Sequence, residues 1–573
     1  MGEEQQDLTA FLDFESKVDA AVAALPVLAL PARAVLTTIH CSLFVMFRGV
    51  LLGRSNHPAV GSTIMTRLST LLPLMRKLSP NPYGHDGEDA LTAWASTDHD
   101  STQWRQLLSY AHFSEIMPEV RRGYFRVTKT ASGFILAHPT DAFAVAQAND
   151  ILLSELAIPF KRGERRRPDP DVARIADALP QCDYRVLAAV LDRRTKQYMG
   201  SLVESQLVTD SSLRVAFGFD YETFVRLRAG VLAVADLAEE VAMYLAAWSS
   251  PEERGSLGIS AETVEWVSIS WRSDFFYRLV AGATSIDVPM VERFVKLFSL
   301  DFTTASEGDH GGDGFFPPFA RFDETLLFAP ALALTFTSLR NALFAFSRAE
   351  KSTFANVISH DLEPMLLDQV VAALPSNHDW IIRRNVKHRS GEIDLLIVDP
   401  VDLVALLVQA KGTLPPQGAR LTERLTDRIK EGINQIKSFE GLPEDEQQKI
   451  IENACGRVIL GLKVCYSLLA RSCFGGVEAW QHAEEILLMT LPTLYLGVQK
   501  FVGDDGSLAL SRLVATIRER TKVYLAAAAP HWKHESLELP GGSVEIPLLK
   551  YDDSVVTATQ EQAWSTWRAP PSS

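Results

Sequence analysis

Two apolar runs separated by a short turn constrain this chain more than any other stretch: Ile393-Asp-Leu-Leu-Ile-Val-Asp399 and Leu403-Val-Ala-Leu-Leu-Val-Gln-Ala410. Both are shorter than an ordinary helix and rich in Val, Ile and Leu, so each reads as a strand buried on both faces. Asp399-Pro400 is a turn signal, and so short a connection makes the two strands antiparallel neighbours. Such strands belong at the centre of a sheet covered by helices.

The surrounding sequence fits that centre. A third extended run, WIIRRNV, occupies 380–386, and helical patterns alternate with the strands at 356–374 and 421–440. Apolar runs at 457–470 and 485–499 and a helix near 508–527 complete an α/β domain over 351–530, a central mixed sheet flanked by helices. The first 350 residues have another texture. Apolar residues recur every three or four positions over 33–52, 104–116, 171–198, 222–248 and 287–299, which predicts helices in regions spanning 1–160 and 171–350. One exception is 124–139, two extended runs around Ala131-Ser132-Gly133, a hairpin signal. Helix starts follow Gly-containing turns at Asp220 and Ser260, and His360-Asp361 reads as helix-start polarity. Segments 79–89, 161–171 and 306–319 are loops by their Gly, Pro and Asp content. The tail, 531–573, is punctuated by proline and is expected to close loosely on the body.

A chain of 573 residues exceeds what one hydrophobic core supports, so several domains are expected. With 47% apolar and 22% charged residues it is not a disordered chain. Its 56 Lys and Arg against 71 Asp and Glu leave a net charge of −15, which disfavours coating nucleic acid or an anionic membrane with the whole surface. Five cysteines without a CxxC predict buried thiols rather than disulfides or zinc. The acidic N-terminus lacks the basic start of a signal peptide, and Arg33, Arg48 and Arg340 interrupt the apolar stretches 20–53 and 328–346. Those stretches read as core helices of a cytoplasmic protein with no membrane partner.

The polar residues on the two strands carry the chemistry. Alternation at period two places Glu392 and Asp394 on one side of their strand, and Gln409 and Lys411 together on the next. Carboxylates, an amide and an amine therefore meet at the end of very apolar strands. Carboxylate oxygens hold a hard cation such as Mg²⁺, and a nearby ammonium offsets charge that grows on a phosphoryl group. Two polar groups continuing a buried strand need a reason. The plain alternative is a solvated hairpin edge.

This arrangement resembles the PD-(D/E)XK nuclease superfamily, with its restriction-endonuclease-like fold. Asp394 and Gln409-Ala410-Lys411 match its motif, with fourteen residues between Asp394 and Gln409. Glutamine replaces the acidic consensus, a form similar to that of methylated-DNA-directed, Mrr-type restriction endonucleases. Glu363, in HDLEPMLLDQVVAALP, stands where the family carries a glutamate on the preceding helix. Gln435-Ile-Lys-Ser-Phe439 is similar to the Q-x-x-x-Y element of recombination exonucleases, with Phe for Tyr. The resemblance covers roughly residues 351–500, and nothing comparable covers the first 350.

The resemblance implies a Mg²⁺-dependent deoxyribonuclease, Mn²⁺ substituting, with endonuclease action favoured and a role in bacterial restriction or phage defence. Asp394 would be the main metal ligand, Glu363 and Glu392 secondary ligands, Gln409 a ligand through its amide oxygen, and Lys411 the group that orients water. Arg383, Arg384, Lys387 and Arg389, with Gln435, would contact nucleic acid. Arg420, Arg424, Arg428 and Lys430 alternate with acids on the next helix and read as a solvated face. The run Lys161–Arg167 reads as a linker that could also meet phosphate. DNA is the expected partner, RNA stays open, a protein partner would use the helical region, and a homodimer is admitted. The competing expectation is a catalytically silent or partner-gated scaffold on a nuclease fold. No GxSxG, GxxxxGK[ST], HExxH or GxGxxG occurs, so other catalytic chemistries have no motif here.

Overall fold

The computed structural model describes residues 3–51, 71, 75–76, 102–158, 172–173, 175, 184–202, 205–248, 259–303, 317–375, 379–415, 419–504 and 509–565. The loops expected at 79–89 and 161–171, the Lys161–Arg167 run included, lie outside them, as does most of 306–319.

The chain begins with α1 (Glu3–Ala23), α2 (Ala32–Leu51) and α3 (Thr102–Arg121). The expected hairpin follows as β1 (Arg126–Lys129) and β2 (Gly133–Ala137), closed by the Thr130 N–H donating to the Gly133 carbonyl at 2.9 Å. Helix α4 (Asp141–Leu156) is capped by Thr140, whose hydroxyl accepts from the Phe143 N–H. The helical region continues with α5 (Tyr184–Ser201), α6 (Asp210–Phe217), α7 (Tyr221–Trp248) and α8 (Ala261–Val267). In α7 the buried Phe224, Leu227, Val231, Val234, Ala238 and Val241 repeat at three and four residues, the spacing visible in the sequence. Asp220 and Ser260 accept from Thr223 N–H and Thr263 N–H, as their positions before helices predict.

A small sheet inside this region was not legible beforehand. It comprises β3 (Ile269–Arg272), then, after α9 (Ser273–Thr284) and α10 (Val288–Leu297), β4 (Ser299–Asp301), β5 (Phe319–Phe322) and β6 (Thr325–Phe328), in the order β3-β6-β5-β4. Strands of three or four residues are too short for a period of two to register. Helices α11 (Pro330–Phe336), α12 (Leu339–Ala349) and α13 (Lys351–Asn356) lead out of it.

The C-terminal sheet starts after α14 (Leu362–Ala373). Its strands are β7 (Ile381–His388), β8 (Gly391–Asp399), β9 (Val404–Lys411), β10 (Lys463–Ala470) and β11 (Ile486–Thr490), with α15 (Ala419–Glu440) and α16 (Glu444–Cys455) between β9 and β10 and α17 (Val477–Gln481) before β11. The spatial order is β11-β10-β9-β8-β7, a mixed sheet. Strands β7, β8 and β9 are antiparallel neighbours, whereas β9, β10 and β11 run parallel. All eight residues of β9 are buried, as the continuous apolar run predicts for a central strand. Leu395, Ile397, Leu406 and Val408 pack beneath α14, α18 (Leu491–Asp504) and α19 (Leu510–Ala527). Leu396, Val398, Ala405 and Leu407 pack with Phe439 of α15 and Ile451 of α16. Asp399 secures the β8–β9 turn by accepting from the Val401 and Asp402 N–H groups and from Trp380 Nε1.

The tail is not loose. Strands β12 (His531–Leu539) and β13 (Gly542–Lys550) form a hairpin, and β13 lies parallel beside β2 in a sheet ordered β1-β2-β13-β12. Leu537, Leu539, Val544 and Ile546 share a core with Phe11, Phe113 and Phe134. The tail's prolines suggested loose closure, yet Pro547 sits within β13 and the polar Lys533, His534 and Glu535 lie along β12, where only one face of the sheet needs to be apolar. In α20 (Asp553–Ser565), Trp564 Nε1 donates to the Leu156 carbonyl at 2.8 Å. Helix α4 thereby belongs to the C-terminal core, where Leu152, Leu153 and Leu156 are buried. Its buried Asp150, pushed up to about 7 by burial, accepts from the Phe474 N–H and from Trp480 Nε1. No helix among the described residues is long and apolar enough to cross a membrane.

Candidate active site

The candidate site lies where β8 and β9 part. Their register runs from Asp399 opposite Val404 to Leu395 opposite Val408. Beyond it side chains take over from the backbone ladder. Asp394 Oδ2 accepts the Ala410 N–H at 2.8 Å, and Gln409 Nε2 donates to the Glu392 carbonyl at 2.5 Å. Strict alternation fails at this point: Ile393 packs with Leu396 and Val398 instead of with Leu395 and Ile397. The β7–β8 register pairs Arg384 with Leu395 and Val386 with Ile393, so Asn385 stands opposite Asp394. Asn385 has a φ of 54°, a left-handed conformation within a strand. The alternation of β8 is therefore broken where its polar residues begin, opposite the left-handed Asn385 of the edge strand β7, which the period-two expectation did not contain.

Burial, above all, raises the Asp394 carboxyl to about 7, and the charges of Glu363 and Glu392 add to the effect. The Ala410 N–H and Lys411 oppose it. Glu363 is also raised, again by burial first, while Lys411, the Gly412 N–H and Arg428 pull it down. The two carboxyls and the ammonium thus act on one another although they come from α14, β8 and β9. Gly412 explains how α14 comes so close. A Cβ there would lie 2.4 Å from both the N and the Cα of Glu363, and the Gly412 N–H donates to the Glu363 carboxylate.

Gln409 and Lys411 are 4% and 6% exposed. Lys411 Nζ donates to Gln435 Oε1 at 2.9 Å, which brings α15 to the site. Its stem passes over Gly432, where a Cβ would stand 3.0 Å from Lys411 Cε and 2.8 Å from Leu468 Cδ1. Gln435 was expected against nucleic acid; here it holds the lysine. Gln409 Oε1 is buried and accepts no hydrogen bond, an unmet acceptor that needs a partner. An amide oxygen and carboxylates are oxygen donors of the kind that suit a hard divalent cation. Among the described residues no group of three or more His, Cys, Asp or Glu side chains is poised for a metal. Glu392 contributes charge to Asp394 and its backbone carbonyl to Gln409.

The basic strand is largely engaged by the protein itself. Arg384 pairs with Asp368 at 2.5 Å and Arg389 with Glu446 at 2.8 Å. Arg383 donates to the Ala454 and Ile382 carbonyls. Lys387 is exposed, its backbone opposite Glu392. His388 meets Ser390 Oγ and lies edge-on to Phe439. Sequence reasoning missed Asn385, Gly412 and Gly432. Only the two glycines left a signal, since each follows or faces a site residue at a place where packing is tight. Arg428, read as part of a solvated face, is exposed and pairs with Glu431 at 3.0 Å, yet its charge reaches Glu363.

Compared with protein-family models, with curated proteins and with solved structures, the chain finds no match.

Proposed function

We propose that the chain is a metal-dependent nuclease of the PD-(D/E)XK type, its C-terminal domain a restriction-endonuclease-like fold that hydrolyses DNA phosphodiesters. The observation that carries this reading is the buried, unpartnered Gln409 Oε1 two residues before Lys411 on β9, whose ammonium acts on Asp394 and Glu363. Asp394, Glu363 and the Gln409 amide oxygen would hold Mg²⁺ or Mn²⁺, with Glu392 adding negative charge. When bound, such an ion acidifies water and neutralises phosphoryl charge. Lys411, whose ammonium Gln435 holds, would orient the attacking water and offset charge developing on the phosphate. Burial of the carboxyls keeps bulk water from competing.

A partner-gated form of this reading is favoured by Arg384 and Arg389, whose pairing with Asp368 and Glu446 leaves less charge for a phosphate backbone. A protein partner on the helical region would then supply or expose further contacts. Placement in bacterial restriction or phage defence follows from the resemblance alone. The test incubates linear, supercoiled, methylated and single-stranded DNA, and RNA, with the protein in Mg²⁺, Mn²⁺ or chelator. Cation-dependent cleavage of DNA supports the reading. No cleavage of any substrate favours the silent scaffold.

A further inference from the structure

Helix α14 carries Glu363 on its second residue, and the helical region grips this helix in two places. At its start, Asp361 occupies the N-cap position yet makes no capping bond to the helix. Asp is among the best capping residues. Its carboxylate instead accepts both the Thr209 N–H at 3.0 Å and the Thr209 hydroxyl at 2.5 Å. Thr209 opens α6, so the helix-capping residue of one region is turned outward to bind the capping residue of another.

Two turns on, Gln369 is 3% exposed and donates to the Gln206 carbonyl at 2.8 Å and to Ser205 Oγ at 3.2 Å. Arg471 completes the arrangement. It follows β10, whose last residue, Ala470, stands beside Lys411 in the sheet. Arg471 is 6% exposed and no carboxylate among the described residues pairs with it. Its guanidinium donates to Gln369 Oε1 at 2.8 Å, to Ser205 Oγ at 3.2 Å and to the Leu362 carbonyl at 3.5 Å. A buried cation without a counter-ion is costly and persists only where neutral acceptors fix it. Here those acceptors are the segment 205–209 and the helix that bears Glu363.

We infer that the segment 205–209 of the helical region, together with Arg471, forms a latch that sets the position of Glu363. Thr209 and Arg471 are positioning residues; neither touches substrate. The contact is long-range, 152 residues separating Thr209 from Asp361, so the state of the helical region is transmitted to the carboxylate. Gly412 is the second contact at this helix start, because its N–H donates to the Glu363 carboxylate and a Cβ there would meet the Glu363 backbone. The inference rests on the nuclease reading for its consequence in metal binding, but its structural content does not.

The experiment uses the full chain as Thr209→Val and as the conservative Thr209→Ser, with two readouts. Amide hydrogen exchange of the peptide containing Gly412 reports the Glu363 contact without any metal. Electron paramagnetic resonance of free Mn²⁺ reports affinity. In Thr209→Val the Gly412 peptide exchanges about tenfold faster or more, while the β10 peptide is unchanged, and Mn²⁺ binds about 10–100-fold more weakly, as loss of a supporting contact does. Thr209→Ser behaves as the parent, which mere loss of side-chain packing would not produce. Parental exchange at Gly412 in Thr209→Val overturns the latch. If exchange responds as expected but even the parent binds no Mn²⁺, the latch stands and the nuclease reading falls. Should β10 loosen equally, the effect is general unfolding and the latch is rejected.

Discussion

Lys411 Nζ donates a hydrogen bond to Gln435 Oε1 at 2.9 Å, so an amide from α15 fixes the ammonium at the end of the central strand. Removing the acceptor frees a long side chain without removing its charge. Gln435→Ala is expected to lower kcat by about 10–100-fold with little change in KM, whereas Lys411→Ala loses on the order of 10²–10³, as deletion of a charge-stabilising donor does. Single-turnover and steady-state cleavage measured side by side separate the two. Equal losses in both variants would mean that Gln435 does more than hold the lysine.

The raised Asp394 carboxyl makes stability depend on pH. Its value rises from about 4 in an unfolded chain to about 7 here, so between these limits the folded protein retains a proton that the unfolded one releases. The metal-free protein therefore loses this contribution to stability as pH rises through that window. Asp394→Asn carries no such charge. Its Tm relative to the parent, measured in chelator, should increase between pH 5 and pH 8, and added Mn²⁺ should stabilise the parent alone. A constant difference across the pH range would show that Asp394 is not held protonated.

Gly412 separates β9 from the backbone of Glu363, with no room for a methyl group. Backbone cannot yield as a side chain can, so Gly412→Ala should destabilise by about 1–3 kcal/mol in urea denaturation and weaken Mn²⁺ binding. Unaltered stability would mean that α14 shifts freely at this contact.

Asn385 adopts its left-handed conformation opposite Asp394. Asn385→Gly should leave stability within a few tenths of a kcal/mol, while Asn385→Val, β-branched, should cost about 1–2 kcal/mol. Equal stability of both variants would indicate that β7 straightens there without consequence.

What could be read from the residues, and what could not, divides along a physical line. The pairing of β8 with β9 was legible because continuous apolar runs joined by a short turn have few ways to be buried. The long helix α7 and the hairpin β1–β2 were legible through their periods. The small sheet β3-β6-β5-β4 was not, because its strands hold three or four residues each. The hairpin β12–β13 was hidden by its prolines and its polar face. At the site, Asp394, Gln409 and Lys411 drew notice as polar groups at the ends of buried strands, whereas Glu363, on a helix, was picked out only through the family resemblance. Their supports could not be foreseen. Gln435 reaches Lys411 only through the docking of α15, and Asp361 looked like a helix cap until Thr209, far away in sequence, took its carboxylate.

The central claim is that these side chains form one cation-dependent hydrolytic centre. Its most direct measurement follows cleavage of end-labelled DNA by the parent, Asp394→Asn and Lys411→Ala at saturating Mg²⁺, each variant first shown to retain its fold by circular dichroism. The account predicts cleavage by the parent that chelator abolishes, and losses of about 10²-fold or more in both variants. Cleavage that persists in either variant at the parental rate, or that ignores chelator, would contradict it.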